Sequence, residues 1–340
     1  MDTELYDSFD RMLTQVCPAS RLREMDQTRD VRGCWFELSE SGYLDVMVPE
    51  SQGGADLGWD HAWQVLFAAG RHALGLPFGQ TMVARTLLAH LHKPYDLEAI
   101  YSVGAANFRE NQETLYAQVV AGALVADKFL FQEGKTLYLT ELSDCTLEDV
   151  TQGGGFDALV QANRFEVVGE CEPGLLARMN ALALSAQLAG AADRVLAMTL
   201  SFAMERHQFG RSIGKFQALQ QQITEMAERV YGMRMASQLG CQSETAIPSA
   251  AQAAMAKAQT SQWAAAVART AHAVHGAIGV TREHDLQLLT RLLYAWARIE
   301  GGTEYWSGLL GQDLLDGDQS VLDYIRETLF DSPKLGLTAA

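Results

Sequence analysis

The spacing of apolar residues changes period twice along this chain, and that order constrains the fold more than any single motif does. From Glu4 to about Leu91 the spacing is helical: ELYDSFDRMLTQV sets Leu5, Phe9, Leu13 and Val16 on one face, and CWFELSESGYLDV reads as a second amphipathic piece. Pro49 and the glycines of SQGGADLG then break the pattern, after which Asp56 or Gly58 can open the next helix. Between about Tyr101 and Glu172 the runs become short and β-type, TLYAQVVAG, DKFLFQ, KTLYLTEL, FDALVQ and RFEVVGE, separated by Gly, Asp and Asn. From Pro173 to about Phe330 the helical period returns, and it includes the alanine-rich IPSAAQAAMAKAQTSQWAAAVARTAHAVHGAIG. Alanine faces let helices approach closely, which favours a four-helix bundle.

The expected architecture is therefore mainly α with a small β domain. It comprises an N-terminal helical domain over 1–95, a reduced antiparallel β middle domain over 96–172 and a C-terminal four-helix bundle domain over 173–340. A chain of 340 residues can bury a substantial shared core. The net charge of −16 repels nucleic acid and anionic membrane surfaces. Cys17, Cys34, Cys145, Cys171 and Cys241 are odd in number and without CxxC spacing, so reduced thiols are expected rather than disulfides or zinc. The acidic start MDTELYDSFDRML does not read as a signal peptide, and no apolar run is long enough to span a bilayer, so a cytoplasmic location is expected.

Three motifs can carry chemistry. In MERHQFGRSIGKFQALQQQITEMAERV a helix carrying Arg206 runs into QFGRSIG, where Gly210 and Gly214 interrupt it. Arg206, His207, Arg211 and Lys215 gather there at a helix–loop–helix corner. Arginine forks beside a helix start suit a phosphate or pyrophosphate; the alternative is a solvated turn with surface charge. In TAHAVHGAIGVTREHDLQLL, His275 ends a helix, Gly276 and Gly279 make a turn, and Thr281 with Glu283 or Asp285 starts the next helix. His275 reads as a capping residue or a ligand, and His207, His272 and His284 lack metal-ligand spacing. In LLYAWARIEGGTEYW a run of helix formers ends in Glu300 before two glycines. A helix C-terminus and burial both raise a carboxyl's proton affinity; the alternative is an exposed last residue before a Gly-Gly cap.

Together these motifs, in this order and spacing, resemble the C-terminal half of the acyl-CoA dehydrogenase family. The family's ERxxFGxxxxxxQA is similar to ERHQFGRSIGKFQA, its HGGxGxTxE to HGAIGVTRE and its EGTSE to EGGTE. The upstream VPESQGGADLGW resembles the family's VPEEYGGLGL, so the likeness covers nearly the whole chain. It implies FAD as cofactor and an acyl-CoA thioester as substrate: Glu300 is the base that takes the pro-R α-proton while the β-hydrogen leaves as hydride, giving a trans-2-enoyl-CoA. By the same transfer Arg206 meets the FAD pyrophosphate of a neighbouring subunit, and Phe209, Phe216 and Gln217 line the adenosine side. His275, Gly276 and Ala277 receive the diphosphate and ribose, Thr303 and Glu304 contact the nucleotide, and Gly301 makes room for the thioester. Composite sites of this kind imply an oligomer, normally a dimer of dimers, with electron-transfer flavoprotein or a similar acceptor.

The departures narrow the resemblance. The family's TEPxAGSD and WITN stretches have no counterpart, Ala273 stands where a glutamine is expected, and Gly302 replaces the threonine of EGT. Arg178 lies about a turn away from the arginine expected early in the first bundle helix. A reduced middle domain and HGAIGVTREHDLQL are similar to the smaller subunits of heteromeric acyl-CoA dehydrogenases, including those acting on steroid side chains. The expected role is then the catalytic subunit of such an assembly with a homologous partner. The alternatives are a non-catalytic partner that contributes FAD contacts and interface, or a flavin oxidase or thioester-carrier dehydrogenase on the same fold.

Overall fold

The computed structural model describes residues 4–108, 114–151 and 155–330. Five helices come first: α1 (Glu4–Val16), α2 (Ala19–Thr28), α3 (Arg32–Ser39), α4 (Trp59–Arg71) and α5 (Phe78–His90). Helix α1 buries Phe9, Leu13 and Val16, the stripe its period sets out. Helix α4 starts directly after Gly58, which occupies the capping position without a side-chain cap.

The strands that follow are β1 (Tyr101–Phe108), β2 (Leu115–Val120), β3 (Lys128–Glu133), β4 (Thr136–Glu141), β5 (Cys145–Asp149), β6 (Ala158–Ala162) and β7 (Glu166–Glu170). They form one seven-stranded sheet in the order β5-β6-β2-β1-β3-β4-β7. The expectation of an antiparallel β domain needs one correction. β1 pairs in parallel with β3, Val103 opposite Leu130, while the other pairs of this sheet are antiparallel. The chain returns along β2 on one side of β1, turns through residues 121–127, and lays β3 on the other side in β1's own direction. Gly122 makes that turn at φ 70°, where a Cβ would lie 2.6 Å from Pro77. β1 and β5 were not among the expected runs, because YSVGAANF is small and mixed in polarity and CTLED is polar.

The bundle consists of α6 (Leu175–Glu205), α7 (Gln217–Gly240), α8 (Ala250–His275), α9 (Leu286–Trp296) and α10 (Thr303–Asp316), with a short α11 (Val321–Tyr324) beyond. Helices α6, α7 and α8 pack on one another, α9 lies against α6 and α8, and α10 against α8. Helix α4 closes on α6 through glycines: a Cβ on Gly190 would sit 2.0 Å from the Phe67 carbonyl, and one on Gly70 2.1 Å from that of Gln187. The sheet is tied to the start of α6 by Gln132, which accepts from the Leu176 N–H at 2.9 Å and donates to the Glu172 carbonyl at 2.7 Å. One continuous apolar core joins all three segments, from Phe9 to Ile299. Among the described residues no helix is long and apolar enough to cross a membrane.

Between α6 and α7 the corner is a β-hairpin. Arg206 is the residue that ends α6, β8 (His207–Gln208) pairs with β9 (Arg211–Ser212), and Phe209 and Gly210 turn the chain with φ of 52° and 78°. Positive φ at both central residues is the tight-turn geometry that matches strand twist.

Candidate active site

Glu300 lies four residues beyond the end of α9, in left-handed backbone at φ 56°, and Gly301 follows at φ 85°. The run of helix formers predicts the last helical position for it; the turn over 297–300 carries it off the helix. Such a conformation costs a non-glycine residue about 1 kcal/mol or more. Trp306 holds it there, its indole N–H donating to the Glu300 carbonyl at 2.8 Å from a buried position on α10. A Cβ on Gly301 would meet the Tyr305 ring at 2.5 Å, so glycine is required here on two grounds.

The carboxyl faces a cleft of about 760 Å³ between the sheet and the bundle. Its walls are β1 (Gly104, Ala105, Asn107), β2 (Gln118, Val120) and the end of α9 with its following turn (Tyr294, Arg298). Asn180 of α6 donates to Glu300 Oε1 at 3.1 Å, and its own Oδ1 accepts from Gln80 Nε2 at 2.9 Å, which fixes the amide orientation. The Ala105 N–H also donates to the carboxylate. Lys257 of α8 is 0 % exposed, and its ammonium donates to the Trp296 carbonyl at 2.5 Å and to Ser261 Oγ at 3.2 Å.

Burial pushes the Glu300 carboxyl up to about 7, against the opposing pull of Asn180, Lys257 and the Ala105 N–H. The expected cause was partly a helix dipole; desolvation is the dominant one. The same burial brings Lys257 down to about 7, partly offset by Glu300. A second carboxyl on this cleft, Asp157, is pushed up to about 6 by burial although it accepts from the Gly122 N–H. A carboxylate poised near neutrality in a water-poor slot is what general-base chemistry at a weakly acidic C–H requires.

The other expected site residues gather elsewhere. Arg206, Phe209 and Gln217 are exposed, and Phe209 is 92 % so. Phe209 and Phe216 meet edge to face at 6.2 Å between centroids, and the Arg211 guanidinium lies 4.2 Å over Phe216. His275 ends α8 buried; its Nδ1 bonds the Ala271 carbonyl, its ring stacks on Phe202 at 4.4 Å, and its Nε2 has no partner. Gly276 has φ 65° and ψ −145°, a region only glycine adopts readily, and it is exposed with Ala277. The Phe202 contact thus joins the end of α6 and its hairpin to the glycine turn. Neither group lines the Glu300 cleft. Thr303 donates to the Ala258 carbonyl at 3.3 Å, and Glu304 is exposed in the first turn of α10. Arg178 is occupied by Glu172 and does not line the cleft.

Residues 177–314 match the family model described as Acyl-CoA dehydrogenase, C-terminal domain. "Acyl-CoA dehydrogenase IpdE2" of Mycolicibacterium smegmatis is 28 % identical over 268 residues, covering 78 % of this chain and 83 % of that one. The helical bundle over residues 177–314 is thus similar to the C-terminal domain of acyl-CoA dehydrogenases. Two solved structures share the chain's fold. One is the ChsE4–ChsE5 complex from Mycobacterium tuberculosis, with TM-score 0.80 and 23 % identity, covering 94 % of this chain and 100 % of that one. The other is the Tcur3481–Tcur3483 steroid ACAD G363A variant, with TM-score 0.80 and 22 % identity, covering 94 % and 98 %. Acyl-CoA dehydrogenases are FAD-dependent oxidoreductases.

The Glu300 cleft fits one half of such a cofactor. At Gly104 an added Cβ would lie 3.4 Å from Glu300 Oε1, so the bare β1 backbone and the carboxyl face the same space. Asn107 and Gln118 add amide donors and acceptors suited to the polar edge of a flavin ring. The cationic and glycine-turn half is exposed at the hairpin, outside that cleft. Lys257, Asn180, Gln80 and Asp157 lie outside the three motifs. A solitary lysine inside the alanine-rich AAMAKAQT was the one sequence signal that could have found any of them.

Proposed function

We propose that this chain is the subunit carrying the catalytic base of a heteromeric, FAD-dependent acyl-CoA dehydrogenase, and that Glu300 removes the α-proton of an acyl-CoA thioester. The observation that carries this reading is the buried carboxyl of Glu300, raised to about 7 and aimed into a cleft by Asn180. When bound, FAD supplies the acceptor for the β-hydrogen, which leaves as hydride. The chain's own residues do the rest. Asn180 and the Ala105 N–H hold the carboxylate, Gly104 leaves its approach open, and the burial of the carboxyl keeps it poorly hydrated. Loss of both hydrogens leaves a trans-2-enoyl-CoA.

Arg206, Phe209, Phe216, Gln217, His275, Gly276 and Ala277 belong, in this reading, to the flavin site completed with a homologous partner subunit, while Thr303 and Glu304 flank the chain's own. Support comes from the exposure of Arg206, Phe209, Gln217, Gly276 and Ala277 and from the separation of all seven from the Glu300 cleft. The names of the structural relatives support a pairing of unlike subunits and a bulky, steroid-type acyl group, with an electron-transfer flavoprotein or similar protein as acceptor. In the assembled protein, Glu300→Gln should lower substrate-driven bleaching of the flavin by about 100- to 10,000-fold, the usual contribution of a general base. Undiminished bleaching would remove Glu300 from the role and leave this chain as the non-catalytic partner.

A further inference from the structure

We infer that Lys257 is a positioning residue for Glu300: its buried amine anchors the end of α9 and, when protonated, supplies the positive charge that favours the carboxylate form of the base. The inference rests on the reading of Glu300 as the base. A lysine with no exposed surface is costly unless its charge is matched, so its partners define its purpose. Two of its three N–H groups are taken by the Trp296 carbonyl and Ser261 Oγ. Trp296 is the last residue of α9, where the helix's partial negative charge is greatest and a cation is favoured. The turn that carries Glu300 starts at the next residue, so the lysine pins the base of that turn from α8 while Trp306 pins its far end from α10.

The remaining influence of the ammonium falls on Glu300 itself, and the two groups act on each other in the expected directions. Other charged or titratable groups on the cleft are Arg291, Arg298, Asp157, Tyr294 and Tyr305. The influences on the proton affinity of Glu300 are led by burial, followed by Asn180, Lys257 and the Ala105 N–H. Arg291 is turned toward Asp26 at 2.7 Å, which removes the nearest cation on α9 from the balance. A neutral side chain at 257 would therefore remove the cation that acts most strongly on the carboxyl.

The test reads ionisation rather than turnover, in the assembled protein with carboxyl-labelled glutamate. The Glu300 signal is assigned by its loss in Glu300→Gln. In Lys257→Met, close in length and uncharged, the Glu300 midpoint should rise by about one pH unit or more, and the pH profile of flavin reduction should move to higher pH with it. Reciprocally, labelled Lys257 should titrate at lower pH in Glu300→Gln than in the parent. This second measurement needs no substitution at 257 and stands if Lys257→Met does not fold. An unmoved Lys257 midpoint in Glu300→Gln, or an unmoved Glu300 midpoint in a folded Lys257→Met, overturns the inference. The midpoints can shift as stated even where Glu300→Gln leaves flavin reduction intact, so failure of the catalytic assignment and failure of the lysine's role are separate results.

Discussion

Glu300 combines two costs that an ordinary surface glutamate avoids, a left-handed backbone and a buried charge. Its folded-state pKa of about 7 stands above the ordinary 4.5, so between those values the folded protein holds a proton that the unfolded chain releases. Stability therefore falls as pH rises through that window, and the full cost of ionisation is present above pH 7. Glu300→Gln should be more stable than the parent by on the order of 1–3 kcal/mol at pH 8, with the gap closing toward pH 5. Loss of the counter-charge to Lys257 trims that gain. Urea unfolding of both proteins across pH 5 to 8 checks it, and a gap independent of pH would show that the carboxyl is not desolvated in the folded state. The motif register made Glu300 legible in the sequence. Its supports were not, because Asn180 reaches it from 120 residues earlier and Gln80, 220 residues before Glu300, fixes Asn180, through packing that no local pattern encodes.

At the scale of elements, the helical segments were legible because each buries one stripe, whereas the sheet was legible only where its strands were strongly apolar. β1 escaped because small residues at Gly104 and Ala105 are what the cleft needs on that strand, and the demands of the site outweigh β propensity there. The charged corner read as a loop and is a hairpin, its two positive-φ residues a phenylalanine and a glycine. Phenylalanine is poorly suited to φ 52° and is 92 % exposed, so its edge contact with Phe216 offsets little of that strain in the isolated chain. Phe209→Gly should raise the stability of the isolated chain by about 0.5–1.5 kcal/mol while weakening retention of flavin in the assembly. Thermal unfolding and flavin absorbance together check this; a loss of stability with flavin retention unchanged would contradict it. The α4–α6 crossing carries the opposite kind of constraint. Gly190→Ala places a methyl group 2.0 Å from the Phe67 carbonyl, and the helices must part, at a cost of about 1–3 kcal/mol by urea midpoint.

At the scale of the whole molecule the proposed site falls into two separate parts: the Glu300 cleft, walled by the sheet, and the Arg206–Gly276 corner, exposed to solvent. A net charge of −16 makes close approach of two such chains unfavourable at long range, so the positive residues of the corner have a double task in assembly. In the proposed assembly they would lower repulsion where subunits meet and offer cationic forks to a dinucleotide's phosphates. A cofactor that contacts both subunits stabilises the assembly according to its concentration relative to its dissociation constant, about 2.7 kcal/mol at a hundredfold excess. Stripping the flavin should therefore lower the melting temperature and shift the assembly toward smaller species in sedimentation. Arg206→Glu should reproduce that shift without stripping, since it replaces a cation at the corner by an anion on an exposed side chain and leaves the core of the chain untouched. Added flavin dinucleotide should restore the assembly of the stripped parent but not that of Arg206→Glu. Full flavin retention by Arg206→Glu would show that the corner holds no part of the cofactor, and the exposed hairpin would then need another explanation.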